Sequence, residues 1–239
     1  MKLTLLYWLV IIFCVSATAK ESALLQVRTI AVAPYGMHEN AQLKGVYFEL
    51  TELLLAKNKL SNEHYVYPYA RIMHELKIGK TDLTIMFKYP ELASYVTYIY
   101  PLPALKNVVV GRSQDNFPSI KSLNGKVIAY LRGAKFSDDV DNNAAIIKQE
   151  VIDFHQGIIL LQKGRVDAII GPLSPIQSAA NELFIKKDFF GEPLVVSQRT
   201  PWLQVSNKSL NKVSIKQLKH SFASLLQRGE LDKLKVKYQ

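Results

Sequence analysis

The chain has 239 residues, a formal net charge of +10 and a single cysteine, Cys14. About 220 residues follow the first 19, which is enough for one large domain or two smaller lobes to bury a hydrophobic core. Because that part of the chain has no cysteine, disulfide bonds and thiolate metal sites are excluded there. The lysines are dispersed, mostly on the polar sides of helical patterns, so the positive charge indicates a solvated surface and no nucleic-acid partner.

The first 19 residues have the pattern of a secretory signal. An apolar run over residues 3–15 follows Lys2, and small residues at Ala17 and Ala19 favour cleavage after Ala19. The run is roughly 13 residues long, whereas a helix that spans a bilayer needs about 20, so a retained membrane anchor is the weaker alternative. The bulky residues before Cys14 do not resemble the small residues that precede a lipidated cysteine. We expect a signal peptide over 1–19 and a soluble protein in the periplasm.

Strand-like and helix-like segments alternate after the signal, which is typical of an α/β fold. The first series predicts a buried strand over 27–33, a helix over 43–57, a strand over 65–67, a helix over 70–78 and a strand over 83–86. The second series predicts a strand over 126–131, a polar helix or loop over 136–142, a helix over 154–163 and a strand over 168–170. Two helices, separated by Gly229, end the chain.

One joint between a helix and a strand occurs twice. The segment 76–85 (LKIGKTDLTI) has the same design as 161–170 (LQKGRVDAII). In each, a cation ends a helix, a glycine supplies the left-handed cap, and a buried strand follows an aspartate. Any α/β protein contains such joints, so the repeat alone does not show whether the chain has two similar lobes. Because the two joints hold matching places in two strand-helix series, the repeat favours twin lobes.

Several segments follow one another in a characteristic order: 29–35 (TIAVAPY), 45–50 (GVYFEL), 69–71 (YAR) with 76–85, 122–129 (SLNGKVIA) with Arg132-Gly133, 164–171 (GRVDAIIG) and the closing residues 226–238. These segments and their order resemble family 3 of the bacterial extracellular solute-binding proteins. Together they span almost the whole chain after the signal. No single segment is diagnostic, but this many segments in the same order are hard to obtain by chance.

The resemblance implies two Rossmann-like α/β lobes joined by two hinge strands, the type II periplasmic binding protein fold. It implies a first lobe over 20–110 and 196–239 and a second lobe over 111–195, with the crossings near 108–111 and 194–197. It also implies capture of a small polar ligand by hinge closure for the membrane permease of an ABC-type transporter. We expect a monomer that needs no cofactor and no metal.

In such a fold, loops at the carboxyl ends of the strands line the cleft. The candidate ligand-binding residues are therefore Tyr35, Tyr69, Phe87, Lys88, Tyr89, Arg132, Lys135, Pro172 and Trp202. Aromatic side chains supply a rigid apolar wall, and a cation beside free backbone N–H groups suits an anion. Each candidate also has a structural explanation, since aromatic residues often belong to a core and loop lysines are often solvated.

Two residues of the amino acid clamp that the resemblance implies are missing. Segment 89–94 (YPELAS) contains no arginine to bind a ligand carboxylate, and Pro172 stands where an acid would hold the ligand ammonium group. A standard α-amino acid is therefore a doubtful ligand, because a buried charge without a partner costs several kcal/mol. The shared positions of Lys88, Arg132 and Lys135 suggest an anionic ligand.

Two rival functions remain open at this point. The fold also resembles that of periplasmic dehydratases that act on cyclohexadienyl substrates, for which Glu91 and His155 are the nearest titratable candidates. Ordinary solvation or capping explains both residues, so we expect no enzyme. Alternatively, the same lobes act as a sensing module that passes the signal to a separate receptor.

Overall fold

The structure is a computed structural model and describes residues 24–238, so the signal peptide predicted over 1–19 lies outside the described residues. Its strands are β1 (Leu25–Ile30), β2 (Met37–Glu39), β3 (Gln42–Lys44), β4 (Asn62–Tyr67), β5 (Leu83–Phe87), β6 (Val96–Pro101), β7 (Leu105–Gly111), β8 (Val127–Leu131), β9 (Ile147–Val151), β10 (Ala168–Pro172), β11 (Leu194–Arg199) and β12 (Pro201–Ser206). Its α-helices are α1 (Val46–Lys57), α2 (Tyr69–Ile78), α3 (Asp138–Asp141), α4 (Phe154–Gln162), α5 (Leu173–Glu182), α6 (Ile215–Gln227) and α7 (Glu230–Lys237). Short 3-10 helices cover Pro90–Leu92, Ile120–Leu123, Lys187–Phe189 and Asn207–Ser209.

The strands form two five-stranded sheets of equivalent design, together with a small β2–β3 hairpin. In the first sheet, with the order β4-β1-β5-β12-β6, β1 is parallel to β4 and β5, while β12 is antiparallel to β5 and β6. In the second sheet, with the order β9-β8-β10-β7-β11, β8 is parallel to β9 and β10, while β7 is antiparallel to β10 and β11. The predicted fold of two α/β lobes is therefore confirmed.

Helices cover the sheets to complete the two lobes. Lobe 1 is the first sheet with α1, α2, α6 and α7, and lobe 2 is the second sheet with α3, α4 and α5. In lobe 1, α1, α6 and α7 pack together and α2 packs against β1; in lobe 2, α4 and α5 pack against each other and against β10. Every residue of β5 and β10 is buried, as expected for parallel strands covered on both faces.

The chain crosses between the lobes at places that differ from the sequence prediction. It leaves lobe 1 between Pro101 and Leu105 and returns between Arg199 and Pro201, since β6 and β12 belong to the first sheet and β7 and β11 to the second. The expected crossings at 108–111 and 194–197 lie inside β7 and β11. Their apolar, β-branched residues indicated strands correctly, but such residues do not show which sheet a strand joins.

The sequence analysis also missed several elements. It did not predict the β2–β3 hairpin, β6, β9 or α5. Strand β9 has the sequence IKQEV and is exposed at three of its five positions, so it lacks the apolar run on which the other strand predictions relied. Among the residues that the structure describes, no helix is both long and apolar enough to cross a membrane.

Candidate functional site

A pocket lies between the lobes, at the carboxyl ends of β1, β5, β8 and β10. It is lined by Ile30, Val32, Tyr35, Tyr47, Tyr69, Met86, Phe87, Leu105, Leu131, Phe136, Phe154, Pro172 and Pro201. The empty space between the walls is about 370 Å³ and is partly open to solvent, and most of it is too narrow for a water molecule. The lobes are thus closed on each other, and a solute larger than one or two water molecules fits only when they move apart.

The loop after β1 brings Tyr35 to the pocket. Gly45 has a φ of +124°, and a Cβ atom there would lie 2.5 Å from the carbonyl oxygen of Tyr35. Only glycine therefore allows the loop to approach the start of α1 so closely. The backbone N–H of Tyr47 donates to the Tyr35 carbonyl at 2.9 Å, and the two rings stack with their centroids 4.2 Å apart. Tyr35 and Tyr47 form one aromatic wall of the pocket.

Tyr69 and Tyr89 pair beside this wall. Their hydroxyl oxygens are 2.5 Å apart, and the backbone N–H of Lys135 in lobe 2 donates to the Tyr89 hydroxyl at 3.5 Å. Burial raises the pKa of Tyr69 well above its ordinary value and raises the pKa of Tyr89 to about 12. Burial likewise raises the pKa of Tyr35 and of Tyr47. These hydroxyl groups stay protonated near neutral pH, so this side of the pocket carries no charge.

Lobe 2 supplies the opposite wall with Leu131, Phe136, Phe154 and Pro172. The side chain of Asp153 caps α4 by accepting a hydrogen bond from the backbone N–H of Gln156 at 2.7 Å, which makes Phe154 the first residue of the helix. The Phe154 ring lies against Gly171, where a Cβ atom would come within 2.5 Å of the ring. This glycine therefore gives the ring its place beside β10.

Direct contacts join the lobes around the pocket. The guanidinium of Arg199 donates to the carbonyl oxygens of Lys88 in lobe 1, at 2.6 Å, and of Lys135 in lobe 2. Its central carbon lies 5.0 Å from the centroid of the Tyr89 ring. The side-chain ammonium group of Lys135 forms an ion pair with Glu91 at 2.8 Å. Since Arg199 precedes the returning crossing, it ties both lobes to the hinge.

Four of the nine predicted site residues line the pocket: Tyr35, Tyr69, Phe87 and Pro172. Tyr89 is not a lining residue, but it is buried and supports the wall through its contact with Tyr69. Whether these residues contact a ligand stays a prediction.

The structure places the other four predicted residues away from the pocket walls. The Lys88 ammonium lies over the Trp202 ring, 3.6 Å from its centroid. Arg132 is exposed and pairs with Glu150 at 3.1 Å, and Lys135 pairs with Glu91 as described. The walls of this pocket therefore do not include the three cations, and their role in binding an anion stays a prediction. Each cation follows a strand, but its side chain turns to a partner outside the pocket.

Sequence reasoning missed Tyr47, Phe136, Phe154 and Arg199. Tyr47 lies in the first turn of α1, two residues after Gly45, so that glycine was the signal for a residue close to the Tyr35 loop. The aspartate before Phe154 was a visible helix cap. Arg199 had no local signal, because its partners lie 64 and 111 positions away in the sequence.

The two candidate catalytic groups lie outside the pocket lining. Glu91 pairs with Lys135, and that hydrogen bond lowers the pKa of Glu91. His155 contacts Glu182 at 2.8 Å on lobe 2, where both side chains are partly exposed.

Comparison with solved structures finds the same fold in several binding proteins. A mutant of ArgBP from T. maritima matches with a TM-score of 0.76 at 17% identity, over 90% of this chain and 94% of that one. An ancestral arginine-binding protein bound to arginine matches with a TM-score of 0.75 at 19% identity, over 90% and 97% of the two chains. The GluR0 ligand-binding core from Nostoc punctiforme, in complex with L-glutamate, matches with a TM-score of 0.75 at 19% identity, over 90% and 98%.

No curated protein of similar sequence matches the chain. The model of the bacterial extracellular solute-binding proteins, family 3, matches residues 25–239. The match covers both lobes and both crossings between them. The chain therefore belongs to family 3 of the bacterial extracellular solute-binding proteins.

Proposed function

We propose that this protein captures one small solute in the pocket between its lobes and delivers it to the permease of an ABC-type transporter. The observation that carries the proposal is the lining of the pocket, to which both lobes contribute side chains. A ligand there is contacted from both sides only when the lobes are closed. Binding therefore favours the closed form by the difference between its contacts in the two forms.

The pocket also requires the lobes to separate during the binding cycle. Its walls leave space for one or two water molecules, so solute entry needs an opened cleft. The crossings at 102–104 and at Thr200 are the only covalent links between the described parts of the two lobes. Short crossings of this kind allow hinge motion because few backbone dihedral angles must change.

The place of action follows from the family and from the first residues. The family consists of extracellular binding proteins, and the apolar run over 3–15 suits export through a cleavable signal. We propose that the mature protein works in the periplasm as a monomer. Transport is supported by the likeness to the substrate-binding protein of an amino acid ABC transporter, with a TM-score of 0.73 at 18% identity.

The test is native mass spectrometry of the protein purified from its own periplasm, with a pair of glycine variants. Gly133 of lobe 2 has a φ of +77°, and a Cβ atom there would lie 3.0 Å from Cα of Ala70 in lobe 1. Gly125 has a φ of +76° and no heavy atom within 4 Å of such a Cβ. Asparagine tolerates this backbone conformation, so Gly133→Asn and Gly125→Asn differ in the contact between the lobes and not in strain.

We expect the wild-type protein and Gly125→Asn to retain a co-purified small molecule at one per chain. Gly133→Asn should lose it, because the larger side chain holds the lobes apart. A molecule that stays bound equally in both variants, or none in any of the three proteins, contradicts capture between the lobes.

A further inference from the structure

We infer that the ligand of this pocket is an uncharged molecule with a flat ring, and not an amino acid or another ion. The inference rests on the proposed function and narrows the class of ligand. It starts from the side chains that face each other across the pocket.

The wall of the pocket carries no charge. None of the residues that line the pocket carries an ionisable acid or base that is charged near neutral pH. Nearby charged groups have partners outside the pocket: Lys135 pairs with Glu91, and Arg199 donates to backbone carbonyls. The Asp141 carboxylate, which does not line the pocket, accepts hydrogen bonds from the Tyr130 hydroxyl and the Phe136 backbone N–H. A charged ligand would lose its hydration and meet no opposite charge, which is strongly unfavourable in an apolar site. A zwitterion would bring two unpaired charges into the pocket, and the free-energy cost would apply to each.

Aromatic side chains form walls on two sides of the pocket. Tyr35 and Tyr47 stack with an interplanar angle of 9° and form a flat surface in lobe 1. Phe136 and Phe154 belong to the opposing wall in lobe 2. Aromatic walls on two sides favour a planar ring between them, since offset stacking and edge contacts add to the burial of apolar area.

Tyrosine hydroxyl groups can form hydrogen bonds to a ligand in the pocket. The polar groups among the lining side chains are the tyrosine hydroxyls, which burial keeps protonated. A phenolic hydroxyl both donates and accepts, so it can exchange its present partner for a neutral hydroxyl or carbonyl group of a ligand. The pocket thus offers neutral hydrogen bonds and no ionic ones.

The experiment uses four probes that share one ring and differ in charge. They are tyrosol, which is neutral, 4-hydroxyphenylacetate, an anion, tyramine, a cation, and L-tyrosine, a zwitterion. Isothermal titration of the mature protein should show tyrosol binding about tenfold or more tighter than each of the other three, because an unpaired buried charge costs more than 1.4 kcal/mol, the equivalent of tenfold. Equal or tighter binding of any charged probe overturns the inference, and so does a failure of tyrosol to bind.

A variant tests whether the missing charge is the cause. Pro172 is the N-cap of α5 and lines the pocket, and aspartate is a favoured N-cap residue. Pro172→Asp therefore adds a carboxylate to the wall at a position that suits it, and tyramine should gain about tenfold in affinity relative to tyrosol. The control is Ser214→Asp, which adds an aspartate at the N-cap of α6 and should leave the four affinities unchanged. An unchanged preference in Pro172→Asp contradicts the inference.

The proposed function and the ligand class fail separately. If Gly133→Asn loses its co-purified molecule while that molecule is charged, capture between the lobes stands and the neutral ligand is refuted. If both glycine variants behave alike, the proposed function itself is refuted, whatever the probes show.

Discussion

The carboxylate of Asp82 accepts a hydrogen bond from the backbone N–H of Gln26 at 2.7 Å, while the N–H of Asp82 donates to the Gln26 carbonyl at 2.7 Å. In lobe 2, Asp167 exchanges the same two hydrogen bonds with Val127, at 2.8 and 2.7 Å. Each aspartate thereby ties the start of a buried strand, β5 or β10, to the strand beside it, β1 or β8. The joint that occurs twice in the sequence is one structural device, used once in each lobe.

The two aspartates differ in their other partners, which leads to a prediction about stability. Asp82 is buried and also pairs with Lys212 at 2.9 Å, whereas Asp167 is partly exposed. Asp82→Asn removes an ion pair in which the aspartate is buried and Lys212 is partly exposed. It should lower the free energy of unfolding by about 2–3 kcal/mol, somewhat less than the loss of a fully buried pair. Asp167→Asn should cost about 1 kcal/mol, the value of one hydrogen bond. Urea unfolding of both variants measures the difference, and equal losses would contradict it.

A buried ion pair in lobe 1 leads to a second prediction. Glu75 on α2 accepts hydrogen bonds from Arg28 at 3.1 Å, from Arg71 at 2.9 Å and from Thr81 at 3.0 Å. The Arg28 side chain is 7% exposed. Glu75→Gln leaves this guanidinium without its counter-charge and should lower the free energy of unfolding by about 3 kcal/mol. The control is Glu63→Gln, at an exposed glutamate on β4, which should change it by less than about 0.5 kcal/mol.

The effect of Glu75 also depends on pH. Burial opposes ionisation, but the hydrogen bonds from Arg71 and Thr81 and the contact with Arg28 outweigh it and lower the pKa of Glu75. Because the folded pKa is below the unfolded value of about 4.3, the stabilisation is present above that pH and is lost as the pH falls through the folded pKa. The gap between wild type and Glu75→Gln in urea unfolding should shrink below about pH 4. A constant gap would contradict this.

His64 gives a third prediction, at milder pH. Burial lowers its pKa and outweighs the hydrogen bond to Glu52, which lies at 2.7 Å from Nδ1. The unfolded chain, with a histidine pKa of about 6.5, therefore binds a proton more readily than the folded protein, and stability falls as the pH drops below about 6.5. NMR titration of His64 should give a folded pKa below 6.5. In His64→Gln the loss of stability between pH 7 and 5 should be smaller than in the wild type, and an equal loss in the two proteins would contradict this.

Arg199 gives a fourth prediction, on lobe closure. Arg199→Met keeps much of the apolar stem but loses the hydrogen bonds to the carbonyl groups of Lys88 and Lys135, one in each lobe. We expect the closed form to lose population and the radius of gyration from small-angle X-ray scattering to rise. Arg228→Met, at an exposed arginine after α6, serves as the control and should not change it. An unchanged radius in Arg199→Met would show that other contacts hold the lobes together.

Much of the fold could be predicted because its signals are local. The glycine caps of α2 and α4, Gly79 and Gly164, have φ values of +77° and +64°, and each follows a helix whose periodicity is visible in the sequence. Strands β5 and β10 were recognisable as short apolar runs. The crossings between the lobes were misplaced because β7 and β11 have the same composition as strands of either sheet. Their membership depends on the pairing of β7 with β10 and of β11 with β7, strands that are distant in the sequence.

The site was predictable in position but not in chemistry. The carboxyl ends of the strands located Tyr35, Tyr69, Phe87 and Pro172 correctly around the pocket. The cations after the same strands were placed there by the same rule, yet Lys88 turns to Trp202 and Arg132 to Glu150. The end of a strand determines where the backbone of the next residues lies. The direction of a long flexible side chain depends instead on its nearest partner.

By itself the amino-acid sequence determined the family, the two strand-helix series and the aspartate joint in each, because these depend on periodicity, on glycine conformations and on spacings of a few residues. Only the tertiary structure decided which strands join which sheet, that the pocket wall is uncharged, and that Arg199 links the lobes. Those features arise from contacts between residues far apart in the chain, and they exist only once the two lobes face each other.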